Sequence, residues 1–88
     1  MIVKVSKTFI KDLAKVKGLE TINDAEFVID FSNMCSDPES IPGFKWMRQY
    51  KGFARIEIAP YRIGVIVTGN TIIFKRILHR NEIYKQFP

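Results

Sequence analysis

The amino-acid sequence predicts an α+β domain of order β-α-α-β-β-β, in which a helical hairpin packs on a mostly antiparallel four-stranded sheet. Three observations predict it. Apolar residues recur at helical spacing in two stretches between Ser6 and Cys35, separated only by a short break at Gly18. Three runs after Gly52 alternate apolar and polar residues, with turn residues between them. The length of 88 residues allows one domain, spanning 1–88, with one core.

The elements follow in order. "MIVKV" alternates and is rich in β-formers, so it reads as a strand. Ser6 is a good N-cap for a helix whose apolar stripe is Phe9, Leu13 and Val16, widened by Ile10 and Ala14. Gly18 is expected to close that helix, and Thr21 with Asp24 to open the next as a capping box. Ile22, Ala25, Val28 or Ile29, and Ser32 carry the second helix to about Cys35. The short link makes the two helices antiparallel. "SDPESIPGF" is a loop, broken by Pro38, Pro42 and Gly43. "FKWMRQYKG" reads as an irregular or partly extended connection.

"FARIEIA" then puts Ala54, Ile56 and Ile58 on one face and Phe53, Arg55 and Glu57 on the other. After Pro60, "YRIGVIV" sets Tyr61, Ile63, Val65 and Val67 opposite Arg62. Gly69-Asn70 is a hairpin tip, and "TIIFKRIL" is the last strand. "RNEIYKQF" is a short helix or an extended tail. The helices cover one face of the sheet and leave the other for solvent or ligand.

Charge is unevenly spread. Residues 1–44 carry five Lys against seven Asp or Glu, a net of −2, whereas residues 45–88 carry nine Lys or Arg against Glu57 and Glu82, a net of +7. A basic face on so small a domain points to a polyanion, with nucleic-acid phosphate the usual one. Other classes are disfavoured. No run of about 18 apolar residues offers a transmembrane helix, so no membrane partner is expected. "MIVKVSKTF" has no uninterrupted apolar stretch, so it does not read as a signal peptide. A lone Cys35 and a lone His79 provide neither an internal disulfide nor a dedicated zinc site, and a reducing cytoplasm is the expected compartment.

Placed on this frame, Arg55 and Arg62 fall on the open face of adjacent strands. His79 and Arg80 stand where the last strand ends, and Tyr84 lies just beyond. In a meander these strand ends lie at one edge, so the five residues are expected to converge on one end of the open face. Such a cluster suits RNA transesterification. Arginines match phosphate bidentately, and a histidine moves protons near neutral pH. A tyrosine between arginines serves as a base or stacks a nucleobase. Trp46 reads as a lid on the core rather than a stacking platform, and Lys7, Lys11 and Lys15 as a solvated helix face.

The ordered set "SKTFIKDLAKV", "KWM", "YKGFARIEI", "YRIGVIV" and "ILHRNEIY" resembles the RelE/ParE superfamily of type II toxins, nearer its RelE-like mRNA interferase branch, over essentially the whole chain. The resemblance implies a metal-independent and cofactor-independent endoribonuclease that enters the ribosome and cuts mRNA, leaving a 2′,3′-cyclic phosphate and a 5′-hydroxyl. Its implied partners are a cognate antitoxin, the ribosome and mRNA. Carried over by residue, Arg62 matches the strand arginine that contacts the scissile phosphate, and Arg55 a basic position on the preceding strand. His79 and Arg80 match the basic pair near the C-terminus, and Tyr84 the terminal tyrosine. Which of His79 and Tyr84 is the general base is left open. Lys45 and Lys51 match RNA-backbone contacts more loosely, and Arg48, Lys75 and Arg76 complete the expected RNA-binding set. Glu57, Pro60 and Gln49 depart from the family pattern. The competing expectations are a ParE-like gyrase inhibitor, a branch that generally lacks the His-Arg…Tyr ending, and a relic that keeps only antitoxin affinity.

Overall fold

The computed structural model describes residues Met1–Pro88. Its elements are β1 (Ile2–Val5), α1 (Lys7–Ala14), α2 (Leu19–Met34), a 3-10 turn (Pro38–Ser40), β2 (Phe44–Trp46), β3 (Phe53–Ile58), β4 (Tyr61–Thr68), β5 (Thr71–His79) and α3 (Arg80–Gln86). The sheet has five strands in the order β1-β5-β4-β3-β2. β1 runs parallel to β5, and the other pairs are antiparallel. No helix is long and apolar enough to cross a membrane.

Two local expectations are corrected. The fifth strand is β2, inside the stretch read as an irregular connection. Phe44 and Trp46 pair with Ile56 and Ala54 of β3, and Lys45 pairs with Arg55. Three residues are too few to show an alternation in sequence, so only the partner strand reveals it. At the helical hairpin, α1 ends at Ala14 with Lys15 as its C-cap. Gly18, with φ of 97°, is instead the N-cap of α2, which starts at Leu19 without a side-chain cap. The left-handed backbone at Gly18 turns the chain, so the helix is under way before Thr21. Ser6 caps α1 as expected, its Oγ accepting the Phe9 N–H at 3.0 Å.

The main core lies between the helical hairpin and one sheet face. Phe9, Val28, Ile56, Ile63, Val65 and Phe74 are among its buried side chains, and Phe9 meets Phe74 edge-on at 5.7 Å. Burying a side chain such as Phe74 contributes about 2–3 kcal/mol. β5 carries a bulge: pairing passes from Val65↔Phe74 to Gly64↔Arg76, which leaves Lys75 unpaired. The bulge resets the alternation, so Phe74 and Ile77 both enter the core.

Beyond Val5 the chain leaves the sheet, and α1 closes the exposed edge of β5. Ser6 Oγ donates to the Lys75 carbonyl at 2.9 Å. The Ile77 N–H donates to Asp12 Oδ2 at 3.2 Å, and Arg76 grips the same carboxylate through Nε and Nη2 at 2.7 and 3.1 Å. These bonds satisfy strand groups that no neighbouring strand reaches.

The second sheet face is not wholly open, because α3 and the tail lie on it. Ile83 and Phe87 are buried there. Phe87 packs against Phe53 at 5.6 Å and over Gly64, where an added Cβ would stand 2.6 Å from the phenyl ring. What α3 leaves uncovered is a groove over β2, β3 and β4.

Candidate functional site

The groove holds a cavity of about 170 Å³ lined by Gly43, Lys45, Arg55, Glu57, Arg62 and Tyr84. The sheet register builds it. Lys45 stands directly across from Arg55, and Glu57 directly across from Arg62. Gly43, at φ of 82°, lets the chain press close to β3; an added Cβ would sit 2.6 Å from the Glu57 carbonyl oxygen. Facing like charges on neighbouring strands is unfavourable without an intervening anion. At the Lys45–Arg55 pair an anion would relieve that repulsion.

Tyr84 comes down from α3 onto these cations. Its ring lies 4.7 Å from the Arg55 guanidinium and 5.3 Å from that of Arg62. Arg62 Nη1 donates to the Tyr84 hydroxyl. The adjacent Arg55, and then Arg62, hold the phenol below its ordinary value of 10.0 because both cations favour the phenolate. Tyr84 nevertheless stays 63% exposed, so its hydroxyl is reachable from solvent.

The two arginines are engaged differently. Arg62 Nε donates to Glu57 Oε1 at 3.2 Å, and its Nη2 lies 3.2 Å from the same oxygen. This half-exposed pair is worth at most about 1 kcal/mol, but it fixes where the Arg62 fork points. Glu57 thus orients Arg62 rather than Arg55. On Arg55, Nη1 is buried with no hydrogen-bond partner. The rest of the guanidinium lines the cavity with Lys45 and Arg62, a cationic set that matches an oxyanion. A phosphodiester fits this demand, and the phenol can carry a proton to or from it. No group of three or more His, Cys, Asp or Glu side chains is placed to hold a metal ion.

A second cavity of about 700 Å³ adjoins the first and shares Lys45, Arg55 and Tyr84 with it. Arg48 lines it, with Trp46, Met47, Gln49, Tyr50 and Phe87. Lys51 is exposed in the same β2–β3 turn. Trp46 packs edge-on against Phe44 at 4.9 Å and donates its indole N–H to Glu39 at 2.9 Å.

Of the residues expected to converge, Arg55, Arg62 and Tyr84 do so, joined by Lys45. His79 and Arg80 do not. The β5 bulge puts Leu78, not His79, across from Arg62. His79 pairs with Tyr61 on the helix side and lines a separate cavity with Asp12 and Lys15 of α1. Arg80 is exposed at the start of α3. Arg76, expected to bind RNA, is instead consumed by the Asp12 carboxylate, and Lys75 sits at the bulge. Sequence reasoning missed Gly43 as a wall of the cavity and the pairing of Glu57 with Arg62. The second was available: a tight turn at Ala59-Pro60 pairs Ile58 with Tyr61 and so sets Glu57 against Arg62.

No family model matches the chain. Over 88 residues, the full length of both, it is 39% identical to the toxin RelE3 of Methanocaldococcus jannaschii. It also matches a chain in the crystal structure of the RelB–RelE antitoxin–toxin complex from Methanococcus jannaschii, with a TM-score of 0.83 and 35% identity, over 97% of this chain and 99% of that one. A chain in the archaeal RelE–RelB complex from Pyrococcus horikoshii OT3 shares the fold, with a TM-score of 0.73 and 16% identity, over 90% and 93%.

Proposed function

Since the chain belongs to the RelE family of toxins, we propose that it is an endoribonuclease that cuts ribosome-bound mRNA without a metal ion, and that a cognate antitoxin restrains it by covering the groove. The observation that carries this reading is the meeting of Tyr84, Arg55 and Arg62 over the cavity, with Lys45 opposite Arg55.

Lys45, Arg55 and Arg62, which line the cavity, hold the scissile phosphate. Of the two candidate bases, Tyr84 stands in the groove and His79 does not. The Tyr84 phenolate takes the proton of the ribose 2′-hydroxyl, and the freed oxygen attacks phosphorus. The bond to the 5′-oxygen breaks, giving a 2′,3′-cyclic phosphate. The departing oxygen takes a proton from the Lys45 ammonium, and water restores both groups. The arginines stabilise the charge that grows on the crowded phosphate.

The test is a translating extract programmed with a defined mRNA, with 5′ ends mapped after the protein is added. Cuts in phase with codons are expected, and a 2′-deoxy sugar at the cut nucleotide abolishes them. Intact transcripts beside an induced DNA-damage response in cells would replace this reading with gyrase inhibition.

A further inference from the structure

His79 is the only histidine of the chain, and it stands off the groove. Its Nδ1 accepts the Asn81 N–H at 3.3 Å, at the N-cap of α3, with φ of −57° and ψ of 145°. To accept there the imidazole must be neutral, with its proton on Nε2. The Tyr61 ring meets it edge-on at 5.8 Å, and the Arg80 N–H donates to the Pro60 carbonyl at 2.9 Å, which fixes where the helix begins.

α3 has seven residues. A helix of that length does not hold itself together in water and depends on its ends and its packing. Its packing anchors are Ile83 and Phe87, and its start is held by His79. Tyr84 lies between these supports. An imidazolium has no lone pair for the Asn81 N–H, and it places a cation at the positive end of the helix. The groups facing His79 are Asp12 and Lys15 of α1, Tyr61 of β4, Arg76 of β5 and Gln86 of α3, with Arg80 next in the chain. Asp12 is already engaged by Arg76 and the Ile77 N–H, which leaves Glu82, in the first turn of α3, as the one free carboxylate near an added charge; it cannot restore the lone pair that the Asn81 N–H loses.

We propose that His79 is a positioning residue: as a neutral imidazole it caps α3 and so holds Tyr84 against Arg55 and Arg62, and in acid the cap is lost and the site loosens through a residue that never touches RNA. This rests on the ribonuclease reading for its effect on cleavage, but not for its effect on Tyr84.

The experiment uses the full chain as wild type, His79→Ala, His79→Asn and Tyr84→Phe. Two quantities are read: the rate of cutting of ribosome-bound mRNA from pH of about 5.5 to about 8, on both sides of neutrality, and the ultraviolet titration of the phenols without RNA. Tyr84→Phe identifies the perturbed phenol. In H79A the rate at pH of about 7.5 falls about fivefold, as loss of an N-cap predicts, and that phenol moves back up towards the ordinary tyrosine range. In H79N, a non-titrating cap, the rate at pH of about 7.5 returns to within about twofold of wild type and the phenol titration returns to the wild-type position; on the acid side the wild type falls more steeply than the one-proton slope that loss of the Tyr84 phenolate sets, and H79N falls with that one-proton slope alone.

An H79N protein as impaired as H79A overturns the proposal, because the imidazole would then be needed for more than capping. So does an H79A protein with wild-type rate and titration. If the wild type cuts no RNA, the ribonuclease reading fails, and the phenol titration alone decides the cap. If H79A does not fold, H79N decides by the same two readouts.

Discussion

Two arginines of one cross-strand row, Arg55 and Arg76, both in register with Gly64, show how one residue type is put to opposite uses. Towards the helices, Arg76 gives two hydrogen bonds to Asp12, a carboxylate 8% exposed, and pairing with it raises Arg76 further above its already high ordinary value. Its donors are spent on closing the edge of β5. Towards α3, Arg55 keeps a buried nitrogen without a partner, faces Lys45 and flanks an exposed phenol. The first arrangement is complete as it stands and stabilises the fold. The second is left without a protein counter-charge for Arg55 and Lys45, and the proposed function assigns the phosphate to that place.

The contrast is broken most severely at the closed side. Asp12→Ala strands Arg76 and the Ile77 N–H, and should cost about 3 kcal/mol, a fall of about 15 °C in Tm for a domain of this size. Thermal unfolding measures it, and a fall of less than about 2 °C would show that Asp12 holds nothing. On the open side Arg62→Ala should do the reverse. Single-turnover cutting should fall about 100-fold, about 2.7 kcal/mol of transition-state stabilisation, while Tm stays within about 3 °C.

Gly64→Ala sharpens the role of α3. The new Cβ meets the Phe87 ring, the tail lifts, and stability falls by about 2 kcal/mol with about tenfold slower cutting. Denaturant titration and the cleavage assay together show whether the two losses travel as one.

Arg55→Gln is read in the pH profile. The folded protein holds the Tyr84 phenol below 10.0, chiefly through Arg55. Phenolate-dependent cutting therefore rises with pH and levels off before ordinary tyrosines ionise. Without Arg55 that rise should move to higher pH, so the variant is slower near neutrality and the gap narrows in alkali. The associated stabilisation of the fold is present in alkali and is lost as pH falls through the depressed folded value. Glu57→Gln has the smallest expected effect: about threefold tighter RNA binding, with a salt dependence steeper by about one unit of slope, because Arg62 is freed for phosphate.

These two sides were not equally legible in the sequence. The helical hairpin and the register of β3 on β4 follow from periodicity and a tight turn, which places Arg55 and Arg62 on one face before any coordinates are known. Tyr84 follows them because its helix has only one uncovered surface to cross. Arg76 could not be told from Arg62 by composition, since each precedes an isoleucine in an apolar strand. What separates them is Asp12, 64 residues away in the chain, which reads as an ordinary polar residue of an amphipathic helix. The same partner supports the bulge at Lys75, and the bulge turns His79 away from the groove. A register change set by a distant side chain leaves no local trace, so unbroken alternation along β5 points His79 to the groove, whereas the bulge pairs it with Tyr61.

The groove itself is tested most directly by a charge-matched pair of triple variants. One replaces Lys45, Arg55 and Arg62 by glutamine; the other replaces the exposed α1 lysines Lys7 and Lys11 together with Lys15. Both remove three positive charges. If the groove is the site, cutting of ribosome-bound mRNA disappears in the first and stays within about threefold of wild type in the second. Equal losses would show that overall basicity, and not this arrangement of arginines and phenol, carries the activity.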